Sequence, residues 1–190
     1  PDMLYDIVNA EEFNKGTIDN FELVGISANS NVEKVNKIIK KHNPKYIYVN
    51  DKSAKENILK TENSVICEDE KELFDIFNSS DVDIIISAIS GFAGIKSTFY
   101  AAKSGKKILL ANKESVVACG DLLNEISKKN KSSIIPLDSE NSAIWQCLKD
   151  EDINSIDSIA LTASGGSLRD IPYNELSKIS PPQVLNHPTW

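Results

Sequence analysis

Val82-Asp-Ile-Ile-Ile-Ser-Ala-Ile89, then Ser90-Gly-Phe-Ala-Gly94, then the periodic run from Ile95 to Ala102 is the stretch that sets the fold class. The first piece is short, β-branched and almost uninterrupted in its apolar character, which is how a strand buried on both faces reads. The glycine-containing turn leads into a helix that Gly105 stops, and Lys107-Ile-Leu-Leu-Ala111 is the next strand. The unit is therefore strand, helix, strand.

Working outward, the same alternation covers most of the chain. On the N-terminal side, strands are expected at Phe21–Ser27, Tyr46–Val49 and Ser64–Ile66, with helices at Val32–Lys41, Ser53–Leu59 and Glu70–Phe77. Asp2–Val8 reads as helix. On the other side, a helix over Glu114–Lys129 precedes a strand at Ser133–Pro136. Such alternation predicts βαβ units, right-handed crossovers and a doubly wound, mostly parallel α/β sheet with its ligand at the carboxyl ends of the strands. After Pro136 the pattern changes to a helix at Asn141–Leu148, a strand at Ile156–Ala163, and a tail rich in glycine and proline. A boundary is expected near residue 137, dividing the alternating α/β part (1–137) from a second part that begins at 138 (138–190).

The 190 residues are enough for a packed core, and they carry a formal net charge of -7 with a pI near 4.9. A negative surface disfavours nucleic acid and anionic membranes as partners. No run reaches the roughly 18–20 apolar residues of a membrane span. Cys67, Cys119 and Cys147 are widely spaced and form no Cys-x-x-Cys, which fits reduced thiols.

Several polar clusters fall at strand ends. Asn29-Ser-Asn31 follows a strand at the position where an acidic residue would hold the ribose of NAD; neutral side chains there are compatible with a 2′-phosphate, and helix capping is the competing reading. Asn112-Lys-Glu114 stands between a strand and a helix, and reads equally as polar chemistry or as a helix start. Asp138 and Glu140, in an extended segment, would project to one side and could share a hard cation such as Mg2+ or Mn2+; an acidic helix start is the alternative. Ser164-Gly-Gly166 could cradle an anion or be a plain turn, and His187 could bind phosphate or serve the structure alone. His42, near a helix C-terminus, reads as a capping cation.

Taken in order, Leu110-Ala-Asn-Lys-Glu-Ser115, Ile135-Pro-Leu-Asp-Ser-Glu140 with Ala143-Ile-Trp-Gln-Cys-Leu148, Leu161-Thr-Ala-Ser-Gly-Gly166 and His187-Pro-Thr-Trp190 closely resemble the 1-deoxy-D-xylulose 5-phosphate reductoisomerase family. No single motif is specific; the ordered set is. The resemblance implies a Rossmann-like NADPH-binding domain followed by the beginning of an α+β catalytic domain. It implies an oxidoreductase of isoprene biosynthesis that isomerises and reduces 1-deoxy-D-xylulose 5-phosphate to 2-C-methyl-D-erythritol 4-phosphate with NADPH and Mg2+ or Mn2+. Residue by residue, Asn29, Ser30, Asn31, Asn112 and Glu114 match cofactor-contacting positions. Lys113, Ser139, Glu140, Ser164, His187 and Trp190 match substrate-binding positions. Asp138 and Glu140 match metal ligands, and Lys113, Glu140 and His187 are the candidates for catalytic work. A homodimer in the complete protein and a bacterial cytoplasmic location, with a plastid as alternative, are implied in the same way.

The chain departs from the family pattern at Asn141, where histidine is usual, at Ser167-Leu168, where Pro-Phe is common, and at Ser30, where a basic residue is frequent. The glycine-rich cofactor turn is expected before Pro1 and the third metal carboxylate beyond Trp190, so the 190-residue piece alone is expected to be nearly inactive. Two rival readings remain at this level: a non-catalytic Rossmann-like dinucleotide-binding module, and another NAD(P)-dependent dehydrogenase related to homoserine dehydrogenase.

Overall fold

A computed structural model describes residues 21–162 and 166–186. The chain divides into two compact units, Pro1–Asp138 and Ser139–Trp190.

In the first unit, strands β1 (Gly25–Ala28), β2 (Tyr46–Val49) and β3 (Val65–Ile66) form one parallel sheet in the order β1-β2-β3. Strands β4 (Ile84–Ser87), β5 (Lys107–Leu110) and β6 (Ser133–Pro136) form a second, in the order β4-β5-β6. Between successive strands run α1 (Val32–His42), α2 (Lys52–Lys55), α3 (Glu70–Ile76), α4 (Ala93–Lys103) and α5 (Lys113–Asn130). This is the expected α/β architecture, although it is two three-stranded sheets rather than one. Each sheet steps outward in sequence order, as the two wings of a doubly wound sheet do, and among the described residues no strand bridges β1 and β4.

Each wing has its own core. Helix α1 places Val35, Ile38 and Ile39 on one stripe, and these pack with Ile26, Ile47, Val49, Ala54 and Ile58. Val82, Ile85, Ala101, Ala102, Ile108, Leu110 and Leu123 form the second core, against which Val24 also packs. Ile47 and Ile108 are fully buried, and each such side chain contributes about 1.5–3 kcal/mol by leaving water. Helix α1 starts at Asn31, whose Oδ1 accepts from the Lys34 N–H, and ends at Asn43 in the left-handed conformation (φ 45°) just before Pro44.

Three elements differ from the sequence expectation. The helix expected at Ser53–Leu59 is a single turn, because the Asn36 side chain on α1 takes over the backbone beyond it. Its Nδ2 donates to Asn57 O at 3.1 Å, and its Oδ1 accepts from Leu59 N at 2.7 Å. The strand at Val82–Ile89 narrows to Ile84–Ser87, since the Ile89 carbonyl is drawn out of the sheet by Asn112. In the second unit, residues 156–162 of the expected Ile156–Ala163 strand are not strand at all, and Ala163 lies outside the described residues. Ile159 and Leu161 are exposed, and an apolar alternation becomes a strand only where a partner strand takes its backbone hydrogen bonds. That unit instead consists of α6 (Ser139–Leu148), short 3-10 turns at Ile153–Ser155, Gly166–Leu168 and Tyr173–Lys178, and α7 (Pro181–Leu185). The Asp2–Val8 helix lies outside the described residues. Among those described, no helix is long and apolar enough to cross a membrane.

His42, expected as a capping cation, stands in the last turn of α1 with its proton affinity lowered. It closes α1, where the helix dipole favours a positive imidazole, but burial, reinforced by Lys41, holds it below the ordinary histidine range. Its Nε2 is buried and takes no hydrogen bond among the described residues. A histidine depressed in the folded state binds its proton more readily when unfolded. Its neutral form therefore costs nothing above the unfolded value of about 6.5, and stability is lost as pH falls below it towards the folded value. Urea unfolding at pH 8 and at pH 5.5 should show a loss on acidification that is smaller in His42→Gln; equal losses in the two proteins would remove His42 as the cause.

Candidate active site

The strand ends of the second sheet carry the densest polar arrangement. Ala111 N and Asn112 N both donate to Ser87 O, at 2.9 and 3.0 Å, so the chain leaving β5 is held against the end of β4. Asn112 then caps α5: its Oδ1 accepts from Ser115 N at 3.1 Å and also from Ser115 Oγ. On its other edge, Nδ2 faces Ile89 O at 2.7 Å, Gly91 O at 2.9 Å and Glu114 Oε2 at 3.1 Å. Two donors meet one edge of the amide and three acceptors the other, which fixes its orientation. Glu114 completes the clamp by accepting the Gly91 N–H on Oε1 at 3.1 Å.

The loop held in this way needs both of its glycines, for different reasons. Gly91 has φ +69°, a left-handed conformation that costs glycine little. Gly94 is buried, and a Cβ there would lie 2.3 Å from Ile89 O and 2.8 Å from Asn112 Nδ2. The Ser90–Gly94 turn is thus an ordinary strand-to-helix turn in shape, but one that is bolted to the next strand end.

Beneath Asn112 a chain of hydroxyls runs into the core. Ser115 Oγ donates to Thr98 Oγ1 at 3.2 Å, Thr98 Oγ1 lies 2.6 Å from Ser87 Oγ, and Thr98 Oγ1 donates to Gly94 O at 2.8 Å. Ser87, Thr98, Asn112 and Ser115 are all buried. Sequence reasoning missed Ser87 and Thr98, since hydroxyls next to apolar runs carry no spacing signal, and it quoted Ser115 only as the end of the Leu110–Ser115 motif. Lys113, exposed, and Glu114, half-buried, flank the buried Asn112.

The Asn29–Asn31 cluster follows β1. Asn31 spends its side chain capping α1, as the competing reading allowed. Asn29 Oδ1 accepts from Asn50 Nδ2 at 3.1 Å, and Asn50 Oδ1 in turn accepts from Tyr48 Oη at 3.2 Å. Burial, with Glu70 and Asp69 nearby, pushes the Tyr48 phenol above its usual range, so it stays protonated as the donor. Asn29, Ser30 and Asn31 are all exposed. Asn50 and Tyr48 were not singled out from sequence; they enter because β2 lies beside β1.

Asp138 follows β6, and Leu137 N donates to Leu110 O at 2.8 Å. Because Pro136 pairs with Leu110, Asp138 and Asn112 each stand two residues beyond a matched pair at adjacent strand ends. Helix α6 begins at Ser139 and contains Glu140 in its first turn. The extended geometry expected for Asp138 and Glu140 is therefore replaced by a helix start, in which each residue turns about 100° from the last. Their oxygen donors suit Mg2+ or Mn2+ in kind. Among the described residues no group of three His, Cys, Asp or Glu gathers to hold a metal.

Ser164, His187 and Trp190 lie outside the described residues. Between them, Ser167 Oγ donates to Val184 O at 2.6 Å. That bond ties the segment just after Gly165-Gly166 to helix α7, which ends at Leu185 shortly before His187.

Comparison with known proteins places these features in a family. A family model described as 1-deoxy-D-xylulose 5-phosphate reductoisomerase matches residues 9–120, and one described as its C-terminal domain matches residues 134–190. The 1-deoxy-D-xylulose 5-phosphate reductoisomerase of Francisella tularensis subsp. novicida is 45% identical over 177 residues, covering 90% of this chain and 46% of that protein. The Clostridium botulinum enzyme of the same name is 38% identical over 181 residues, covering 93% and 47%. Among solved structures, the Zymomonas mobilis reductoisomerase in complex with NADPH superposes with a TM-score of 0.75 at 28% identity, covering 94% of this chain and 47% of that one. A reductoisomerase in complex with NADPH, fosmidomycin and magnesium gives a TM-score of 0.66 at 33% identity, covering 87% and 44%. The chain spans about half the length of the relatives it matches. The chain belongs to the 1-deoxy-D-xylulose 5-phosphate reductoisomerase family.

Proposed function

We propose that this chain forms the cofactor-binding part, and the beginning of the metal- and substrate-binding part, of an enzyme that converts 1-deoxy-D-xylulose 5-phosphate to 2-C-methyl-D-erythritol 4-phosphate. The observation that carries this reading is the convergence of Asn112-Lys-Glu114 and Asp138 on the neighbouring ends of β5 and β6, within a chain that belongs to this family. The solved relatives with NADPH and magnesium support the choice of cofactor and metal.

When bound, NADPH would supply the hydride, and a divalent cation would polarise the substrate's oxygens as a Lewis acid. Asp138 and Glu140 would hold the cation, with a further carboxylate supplied elsewhere. Lys113, exposed beside the buried Asn112, is free in geometry to reach a sugar phosphate as a point charge. Ser139 and Glu140 present a hydroxyl and a carboxylate from the first turn of α6, and Glu140 can accept a substrate hydroxyl's hydrogen bond. Ser164 and His187 would meet the substrate, Ser164 towards its phosphate. Trp190 would close over the substrate and exclude water, which protects a reactive intermediate and strengthens the local electrostatics. Glu114 and the exposed Asn29–Asn31 segment would meet the cofactor. The complete protein would act as a homodimer in the bacterial cytoplasm.

The decisive experiment follows NADPH oxidation with 1-deoxy-D-xylulose 5-phosphate, using the complete protein that contains this chain, with and without Mg2+ or Mn2+. Oxidation that requires both sugar phosphate and metal is expected, and its absence in folded protein would end this reading. The 190-residue chain, assayed in parallel, should turn over far more slowly.

Asp138→Asn in the complete protein should lower metal-dependent turnover by roughly a hundredfold or more, because disturbing even the outer partners of metal ligands costs ten- to a hundredfold. Turnover that survives this change at the same metal concentration would remove Asp138 from the metal site.

A further inference from the structure

The Asn112 clamp is held from below by groups that no part of the proposed reaction uses. Thr98 is fully buried in the middle of α4, one turn before Ala101 and Ala102 at the heart of the second core. A hydroxyl there is costly unless bonded. Its proton goes to Gly94 O at 2.8 Å, so its two lone pairs are left for Ser87 Oγ at 2.6 Å and Ser115 Oγ at 3.2 Å. Ser115 links upward as well: its one hydroxyl proton is shared between Thr98 Oγ1 and Asn112 Oδ1, and its backbone N–H donates to Asn112 Oδ1 at 3.1 Å. The hydroxyls thus form a continuous chain from β4 through α4 to the carboxamide that grips the loop after β4.

We propose that Thr98 and Ser115 are positioning residues for the cofactor: they fix the Asn112 carboxamide, which sets the Gly91 loop and the Glu114 carboxylate in place to receive NADPH. This rests on the cofactor reading given above. Asn112 offers a ligand no spare side-chain atom, since every edge of its amide is engaged within the protein. Glu114 differs. Each of its oxygens accepts one protein donor, Gly91 N on Oε1 and Asn112 Nδ2 on Oε2, and a carboxylate oxygen can accept a second. The clamp therefore aims the remaining lone pairs of Glu114 towards hydroxyl or amide donors of a ligand beyond the strand ends, where ligands of such sheets bind. Releasing the hydroxyl chain frees the amide to turn, and the Gly91 loop and Glu114 then move without any ligand contact having been removed.

The test uses the complete protein with Thr98→Val, which keeps the shape and deletes the hydroxyl, Ser115→Ala, and Thr98→Ser as the conservative control. Two readouts are taken where circular dichroism shows each variant folded: the Kd for NADPH by its fluorescence, and hydrogen exchange of the Gly91 amide. Thr98→Val and Ser115→Ala should each raise the Kd about fivefold, the equivalent of one neutral hydrogen bond, and speed exchange at Gly91. In turnover, the loss should fall on KM for NADPH. Thr98→Ser should restore both readouts. Wild-type Kd and wild-type Gly91 exchange in both hydroxyl-deleted variants would overturn the proposal, as would a failure of Thr98→Ser to restore them. If Thr98→Val does not fold, Ser115→Ala, which keeps its backbone bond to Asn112, decides on the same two readouts. Should the wild-type protein not bind NADPH, the cofactor reading has failed, and the Gly91 exchange rate alone then supports or overturns the positioning role.

Discussion

The carboxamide of Asn112 is bonded on both edges, and the geometry of the candidate site hangs on that saturation. An amide with two donors against its oxygen and three acceptors against its nitrogen has only one sensible orientation. In that orientation it joins the end of β4, the Ser90–Gly94 turn, the end of β5 and the start of α5. A single buried side chain thereby decides where Lys113 and Glu114 stand. The same bonds explain why β4 stops at Ser87 although its apolar run continues to Ile89: the Ile89 carbonyl serves Asn112 instead of a neighbouring strand.

This arrangement makes demands on what surrounds it. Gly94 must lack a side chain, because the space a Cβ would occupy is filled by Ile89 O and by Asn112 itself. Thr98 must carry a hydroxyl-shaped group in an otherwise apolar helix face. Both are cases in which a polar network inside a core constrains residues that never meet a ligand. The first sheet uses a lighter version of the same device, with Tyr48 and Asn50 orienting Asn29 from the adjacent strand.

The second unit is built differently. Among its described residues it has a helix of ten residues, several single turns and one short helix, with no strand and no fully buried side chain. Exposed Ile153, Ile159 and Leu161 leave apolar surface uncovered. The apolar alternation at 156–162 finds no strand to pair with among the described residues. The kink at Cys119, inside α5 next to Gly120, also sits amid exposed Val116, Val117 and Leu122.

The sequence by itself determined the α/β class, the order of strands and helices over residues 25–136, and the identity of the polar groups at the strand ends. Each of these depends on local signals: a β-branched run, a periodic stripe, a cap, a glycine stop. Motif order was also enough to reach the family. What only the tertiary structure decided was which of those polar groups face outward and which are consumed inside. Asn112 and Asn31 read alike in sequence as cap or contact, and both turn out to cap; Asn112, in addition, binds a loop some twenty residues away in the chain. His42 reads as a cation at a helix end, yet burial, reinforced by Lys41, lowers its proton affinity below the ordinary histidine range. Asp138 and Glu140 read as an extended pair, yet the chain turns helical at Ser139. The physical reason is common to all of them. Hydrogen-bond partners and dielectric surroundings come from segments distant in the chain, and no local pattern records which segments those will be.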